Sequence, residues 1–140
     1  MIGAKIDRYL AVPSLSGRSG RHPFMQRTND LGLTHESPRL VAAVGTTSAR
    51  ILSADQFALF PQDLDLSGKH VLILDDTWTQ GSRTQSAALT LLRHGARYVS
   101  VMVMSRYLRP SYGNNAEFIR TRLRRDYDPA ICPVTGGDCP

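Results

Sequence analysis

A chain of 140 residues with 41% apolar and 21% charged residues fits one modest domain around a single core. Its formal net charge of +5 suits phosphate-bearing ligands, while the lack of a basic stripe interleaved with aromatics argues against nucleic acid as the partner. No apolar stretch has membrane-span length, and MIGAKIDRYLAVPS is too weakly apolar for a signal peptide, so the expectation is a cytoplasmic protein with no membrane partner.

YLAV at 9–12 reads as a short strand ended by Pro13. The glycines and serines of SLSGRSGRHP mark a loop, whose plainest reading is a solvated surface segment with a structural or solvent-facing His22. Residues 23–39 show weak periodicity, with turn signals at Asn29-Asp30 and Ser37-Pro38. RLVAAV at 39–44 and a segment near 57–59 read as strands, and DLSGKH at 65–70 as a turn. VLIL at 71–74 is a continuous apolar run, β-branched at Val71 and Ile73, as expected of a parallel-sheet strand buried on both faces. TQSAALTLLRHGA then reads as a helix with Ala87, Ala88, Leu91 and Leu92 on its core face, stopped at Gly95 behind Arg93 and His94. VSVMVM at 99–104 is the next strand and completes a βαβ unit with a right-handed crossover. NAEFIRTRLRR predicts a short basic helix with a solvated arginine face, and a proline-containing tail follows. The expected fold is α/β, a parallel β-sheet flanked by helices. It forms one domain over 1–140, with 107–140 as a C-terminal extension.

The segment VLILDDTWTQGSRT at 71–84 runs a buried strand straight into two adjacent carboxylates and a loop of hydroxyls and glycine. Ligands of an open parallel sheet bind beyond the carboxyl ends of its strands. The helix that follows offers unpaired N–H groups and a positive dipole end to an anion. Gly81 lets the backbone close around a phosphate, and Thr77, Thr79, Ser82 and Thr84 add hydroxyls. The Walker pattern GxxxxGK[ST] and the dinucleotide pattern GxGxxG are both absent. Asp75 and Asp76 would repel the phosphate itself, so they suit another part of the same ligand: the vicinal diol of a ribose 5-phosphate. A divalent cation nearby would relieve their mutual repulsion. Two bland readings compete. Receiver domains also place an aspartate pair after a strand, but near the N-terminus and with a further aspartate on a later strand. A plain helix cap does not need so many polar residues. Cys132 and Cys139, with no paired histidine, make a poor zinc site and read as structural or free thiols or a redox-labile local disulfide.

VLILDDTWTQGS resembles the phosphoribosyl-diphosphate (PRPP) motif of type I phosphoribosyltransferases, and the competence-associated ComF-like branch is the most similar. AVPSLSGRSGRHPF resembles that branch's upstream Val-Pro-Ser and Gly-Arg loop, and the resemblance spans roughly 9–106. It implies that Asp75 and Asp76 hold the ribose hydroxyls and, indirectly, Mg²⁺, which PRPP itself largely chelates. It implies a 5′-phosphate loop made by Thr77, Trp78, Thr79, Gln80, Gly81 and Ser82. It also implies a diphosphate loop made by Ser14, Leu15, Ser16, Gly17 and Arg18, with Arg18 beside the leaving group. The implied reaction displaces diphosphate from C1 of PRPP with a nitrogen nucleophile, with Asp75, Asp76 and Arg18 as the catalytic set.

Three residues depart from the family pattern: Trp78 for a small aliphatic, Gln80 for a second Thr or Ser, and Arg83 for a Thr. Family members also carry a strand, a helix and a base-recognising hood before the diphosphate loop. Here that loop begins about a dozen residues from Met1, so the resemblance implies a shortened form lacking the hood. Two functions share the motif: a phosphoribosyltransferase using PRPP and Mg²⁺, and a non-catalytic PRPP- or nucleotide-sensing protein or DNA-uptake accessory. An incomplete sheet edge predicts a homodimer.

Overall fold

A computed structural model describes residues 5–15, 22–35, 37–46, 51–124, 126, 128–131 and 137. The chain divides after Arg106 into two compact units. The first, within Ala4–Arg106, holds the sheet and every residue of the candidate site described below. The second, which includes Tyr107–Pro140, contributes the helix α3 (Asn115–Arg122), whose described side chains are all exposed or half-buried.

The sheet of the first unit forms around the apolar run read as a strand. β4 (His70–Trp78) is its centre and pairs in parallel with β1 (Arg8–Ala11) on one side and β5 (Tyr98–Arg106) on the other. The register sets Ala11 opposite Leu74, and Val12 continues the ladder by donating its N–H to the Leu74 carbonyl at 3.0 Å. All three carboxyl ends therefore lie at one edge of the sheet. α2 (Ser82–Arg93) links β4 to β5 and packs on the sheet. Val71, Ile73, Ala87 and Leu91 have no exposed surface and join Leu10, Val12, Leu40, Phe57, Leu59, Leu66 and Ala96 in one core.

Four elements differ from the sequence expectation. The segments read as further strands, β2 (Arg39–Ala42) and β3 (Phe57–Phe60), pair with each other antiparallel instead of extending the parallel sheet. Residues 23–39 contain a helix, α1 (Pro23–Asp30), capped by His22. Its only buried side chain is Thr28, so it carries almost no apolar stripe to betray it. Leu92, expected on the core face of α2, is 48% exposed, and three hydroxyl residues, Thr84, Ser86 and Thr90, are buried instead. Ser86 accepts from the Ser53 N–H at 3.0 Å and Thr90 donates to the Ala54 carbonyl at 2.9 Å, which fastens the segment before β3 onto the helix. The turn at 65–70 forms as expected. Asp65 accepts from both the N–H and the hydroxyl of Ser67, and these bonds hold its carboxyl below its ordinary range. Among the described residues, no helix is long and apolar enough to cross a membrane.

Candidate functional site: an acidic pair split by the pleat

Successive side chains of a strand point to opposite faces. β4 does not stop where its apolarity stops: Asp75, Thr77 and Trp78 stay in register with Val103, Ser105 and Arg106 of β5. Asp75 therefore shares a face with the fully buried Val71 and Ile73, towards α2, while Asp76 turns to the other side. The two carboxylates consequently live in different surroundings.

Asp75 is engaged by the protein itself. One oxygen accepts the Thr84 hydroxyl at 2.7 Å and the other accepts the Asp76 N–H at 3.0 Å. Burial raises its carboxyl above the ordinary 3.8; the Thr84 bond opposes that rise, and the charge of Asp76 adds to it. Thr84 is 1% exposed, so its hydroxyl, expected to serve a phosphate, instead ties the first turn of α2 to the strand. Thr84→Val should lower unfolding free energy by about 1–3 kcal/mol, the cost of a buried acceptor losing its donor. Urea unfolding checks this, and Thr84→Ser should recover most of the loss.

Asp76 faces outward, with 44% of its side chain exposed, and His22 Nε2 lies 3.5 Å from its Oδ2. His22, read as structural or solvent-facing, is thus brought to the acidic pair. The sequence signal for this was the His-Pro step, since a proline at N1 marks the preceding residue as a helix cap.

Beyond Trp78 the chain turns through Thr79, Gln80 and Gly81 into α2. Thr77 and Trp78, expected in the phosphate loop, belong to β4, and the Thr77 hydroxyl lies 3.4 Å from that of Ser105. Gly81 has φ +77° and caps α2 without a side-chain hydrogen bond. The first intrahelical bond runs from the Gln85 N–H to the Gly81 carbonyl at 2.8 Å, so the amides of Ser82, Arg83 and Thr84 have no acceptor within the helix. The Trp78 ring packs beneath Gly81, in the space that a Cβ there would need.

Two cavities flank the carboxylates. One, of about 190 Å³, is lined by Thr77, Thr79, Gly81, Ser82 and Thr84; the other, of about 250 Å³, by Val12, Pro13, Ser14, His22 and Phe24. Asp75, Asp76 and Arg83 line both. Arg83 therefore places a cation beside both, on a residue that departs from the resembled motif. Of the expected diphosphate loop, Ser14 lines the second cavity and Leu15 packs against the core. Ser16, Gly17 and Arg18 lie outside the described residues, as do Cys132 and Cys139. No group of three or more His, Cys, Asp or Glu able to hold a metal occurs among the described residues.

Three curated proteins similar to this chain are each called DNA utilization protein YhgH. The Salmonella typhi and Salmonella typhimurium proteins are each 32% identical over 114 residues, which cover 73% of this chain and 50% of the relative. The Escherichia coli O6:H1 protein is 30% identical over 116 residues, with the same coverage. The chain thus spans about half the length of the curated relatives it matches. No family model matches it. No solved structure matches it.

Proposed function

We propose that this chain binds a small molecule carrying a ribose 5-phosphate, such as PRPP or a nucleotide, and that this binding serves DNA utilization, the role its relatives' names give them. The observation that carries the reading is the uncapped start of α2. Three amides without helical acceptors border a cavity of about 190 Å³, beside a carboxylate that faces outward. The amides, the helix dipole and Arg83 supply the positive end that a phosphate dianion needs. Asp76 supplies the acceptor for sugar hydroxyls on the far side of the same ligand.

Isothermal calorimetry with PRPP, ribose 5-phosphate and ribose tests it. The two phosphorylated sugars should bind and ribose should not, with affinity falling as salt rises because the phosphate term is electrostatic. Absence of binding by both phosphorylated sugars, or equal binding of ribose, would overturn it. Arg83→Gln should weaken ribose 5-phosphate about tenfold, one charge-assisted hydrogen bond's worth, and flatten the salt dependence.

A second reading, transfer of the phosphoribosyl group, is favoured by the second cavity. It lies across the carboxylates from the phosphate turn and borders Ser14, leaving room for a diphosphate or an attacking base. In that reaction the bond from C1 to the diphosphate oxygen breaks and one to a nitrogen forms. Asp76 orients the sugar, the α2 amides hold the 5′-phosphate, and Arg83 offsets the departing charge. The donor set fits Mg²⁺ only as a ligand-borne ion. Each Asp75 oxygen already accepts a bond from the protein, so Asp76 is the freer carboxylate for it. When bound with PRPP, Mg²⁺ would neutralise diphosphate charge. Diphosphate release measured with several bases separates this reading from the first, which predicts binding without release.

A further inference from the structure

We infer that His22 is a positioning residue for Asp76, so that one imidazole couples the start of α1 to the sugar side of the ligand. The ligand half of this inference rests on the ribose 5-phosphate reading; the imidazole–carboxylate half does not.

The argument begins with the cap. Pro23 has no N–H to offer, so the first donor of α1 is the Phe24 amide, and it donates to His22 Nδ1 at 3.3 Å. An accepting Nδ1 carries a lone pair, and a neutral imidazole then keeps its proton on Nε2. Nε2 is the nitrogen that lies 3.5 Å from Asp76 Oδ2. The cap therefore selects the tautomer that carries its proton on the nitrogen in contact with the carboxylate, as a hydrogen-bonding partner selects the tautomer of a metal-binding or catalytic histidine. The geometry is shared by two elements that the chain sets far apart, α1 and the carboxyl end of β4. Asp76 stands near the end of a strand with 44% of its side chain exposed, where an unassisted carboxylate would sample several rotamers. The contact with His22 restrains one oxygen and leaves the other to accept from a sugar hydroxyl. His22, 30% exposed, lines the second cavity with Pro13, Ser14 and Phe24.

Two replacements separate the roles of the ring. His22→Asn keeps a good N-cap acceptor but is too short to reach Asp76. His22→Gln can reach Asp76 but caps poorly. The expected result is that His22→Asn unfolds at the wild-type midpoint and binds ribose 5-phosphate about tenfold more weakly, the size of one hydrogen bond to a charged group. His22→Gln should unfold earlier and keep its affinity. Unchanged affinity in a folded His22→Asn protein would overturn the positioning role. A ligand-free measurement stands beside it. At a pH where the ring is neutral, the imidazole ¹⁵N resonances should show Nε2 protonated and Nδ1 bare, and Asp76→Ala should shift the Nε2 signal. A protonated Nδ1, or an Nε2 signal indifferent to Asp76, would end the inference whatever the protein binds. Wild-type protein that shows this tautomer and its Asp76 dependence, but binds no sugar phosphate, would remove the proposed function and keep the pair.

Discussion

Gly81→Ala is expected to be the most damaging single substitution in the turn, costing about 2–5 kcal/mol of stability and re-aiming the amides that open α2. Two effects add. The backbone at Gly81 has φ +77°, in the left-handed region where a Cβ costs about 1–2 kcal/mol. The added Cβ would also lie 2.2 Å from the Trp78 ring, and a bulky ring held on a strand cannot retreat as a flexible chain end would. Overpacking of that kind costs about 1–3 kcal/mol. Gly68 separates the two effects, because it has φ +73° and nothing within 4 Å of a would-be Cβ. Gly68→Ala should therefore lose only the conformational part. In Gly81→Ala/Trp78→Ala the clash disappears and the backbone strain remains, so a double-mutant cycle by urea unfolding should show a favourable coupling of about 1–3 kcal/mol. Additive losses in that cycle would mean that the ring does not support the turn.

The same tryptophan shows where the sequence was legible and where it was not. The core of β4 could be read directly, because apolarity and β-branching coincide at Val71 and Ile73. The continuation of the strand through Asp75, Asp76, Thr77 and Trp78 could not, because nothing apolar marks it. It depends on pairing with β5, a non-local interaction that periodicity does not encode. Reading those residues as a loop concealed the pleat, and with it the fact that adjacent aspartates face opposite ways. The glycine turn and the helix after it were legible from local chemistry, although α2 begins at Ser82, two residues before the helix as read from the sequence. α1 was not legible from its apolar pattern, since it buries only Thr28, although His22-Pro23 is a local start signal. The contact of His22 with Asp76, like the antiparallel pairing of β2 with β3, joins segments that only the tertiary fold brings together.

The two aspartates should not behave as a symmetric pair. Asp76→Asn is expected to weaken PRPP binding in the presence of Mg²⁺ by about 10–100-fold while leaving the unfolding midpoint close to wild type, because this carboxylate faces the cavities and supports no other element beyond the His22 contact. Asp75→Asn should do the reverse. Its two oxygens already accept from Thr84 and the Asp76 amide, so its position is set by the protein and its remaining acceptor capacity is smaller than that of Asp76. An asparagine oxygen can still accept from the amide while its NH₂ donates to the Thr84 hydroxyl. The pH dependence fixes the sign of the stability change. Burial first of all raises the Asp75 carboxyl above 3.8, so the folded state holds this proton more tightly than the unfolded chain does. The contribution of Asp75 to stability is therefore fully present below 3.8 and is lost as pH rises through the raised folded value. Asp75→Asn removes that loss, so at pH 7 it should be as stable as wild type or more stable, and the advantage should vanish as the solution is acidified through that window. Unfolding followed across pH, together with calorimetry on each single variant, reads both effects. The double variant Asp75→Asn/Asp76→Asn should bind PRPP with Mg²⁺ about as weakly as Asp76→Asn alone, because only one of the two carboxylates meets the ligand. Equal affinity losses at the two positions would show that the pleat does not divide their work, and undiminished binding in the double variant would remove the carboxylates from the site altogether.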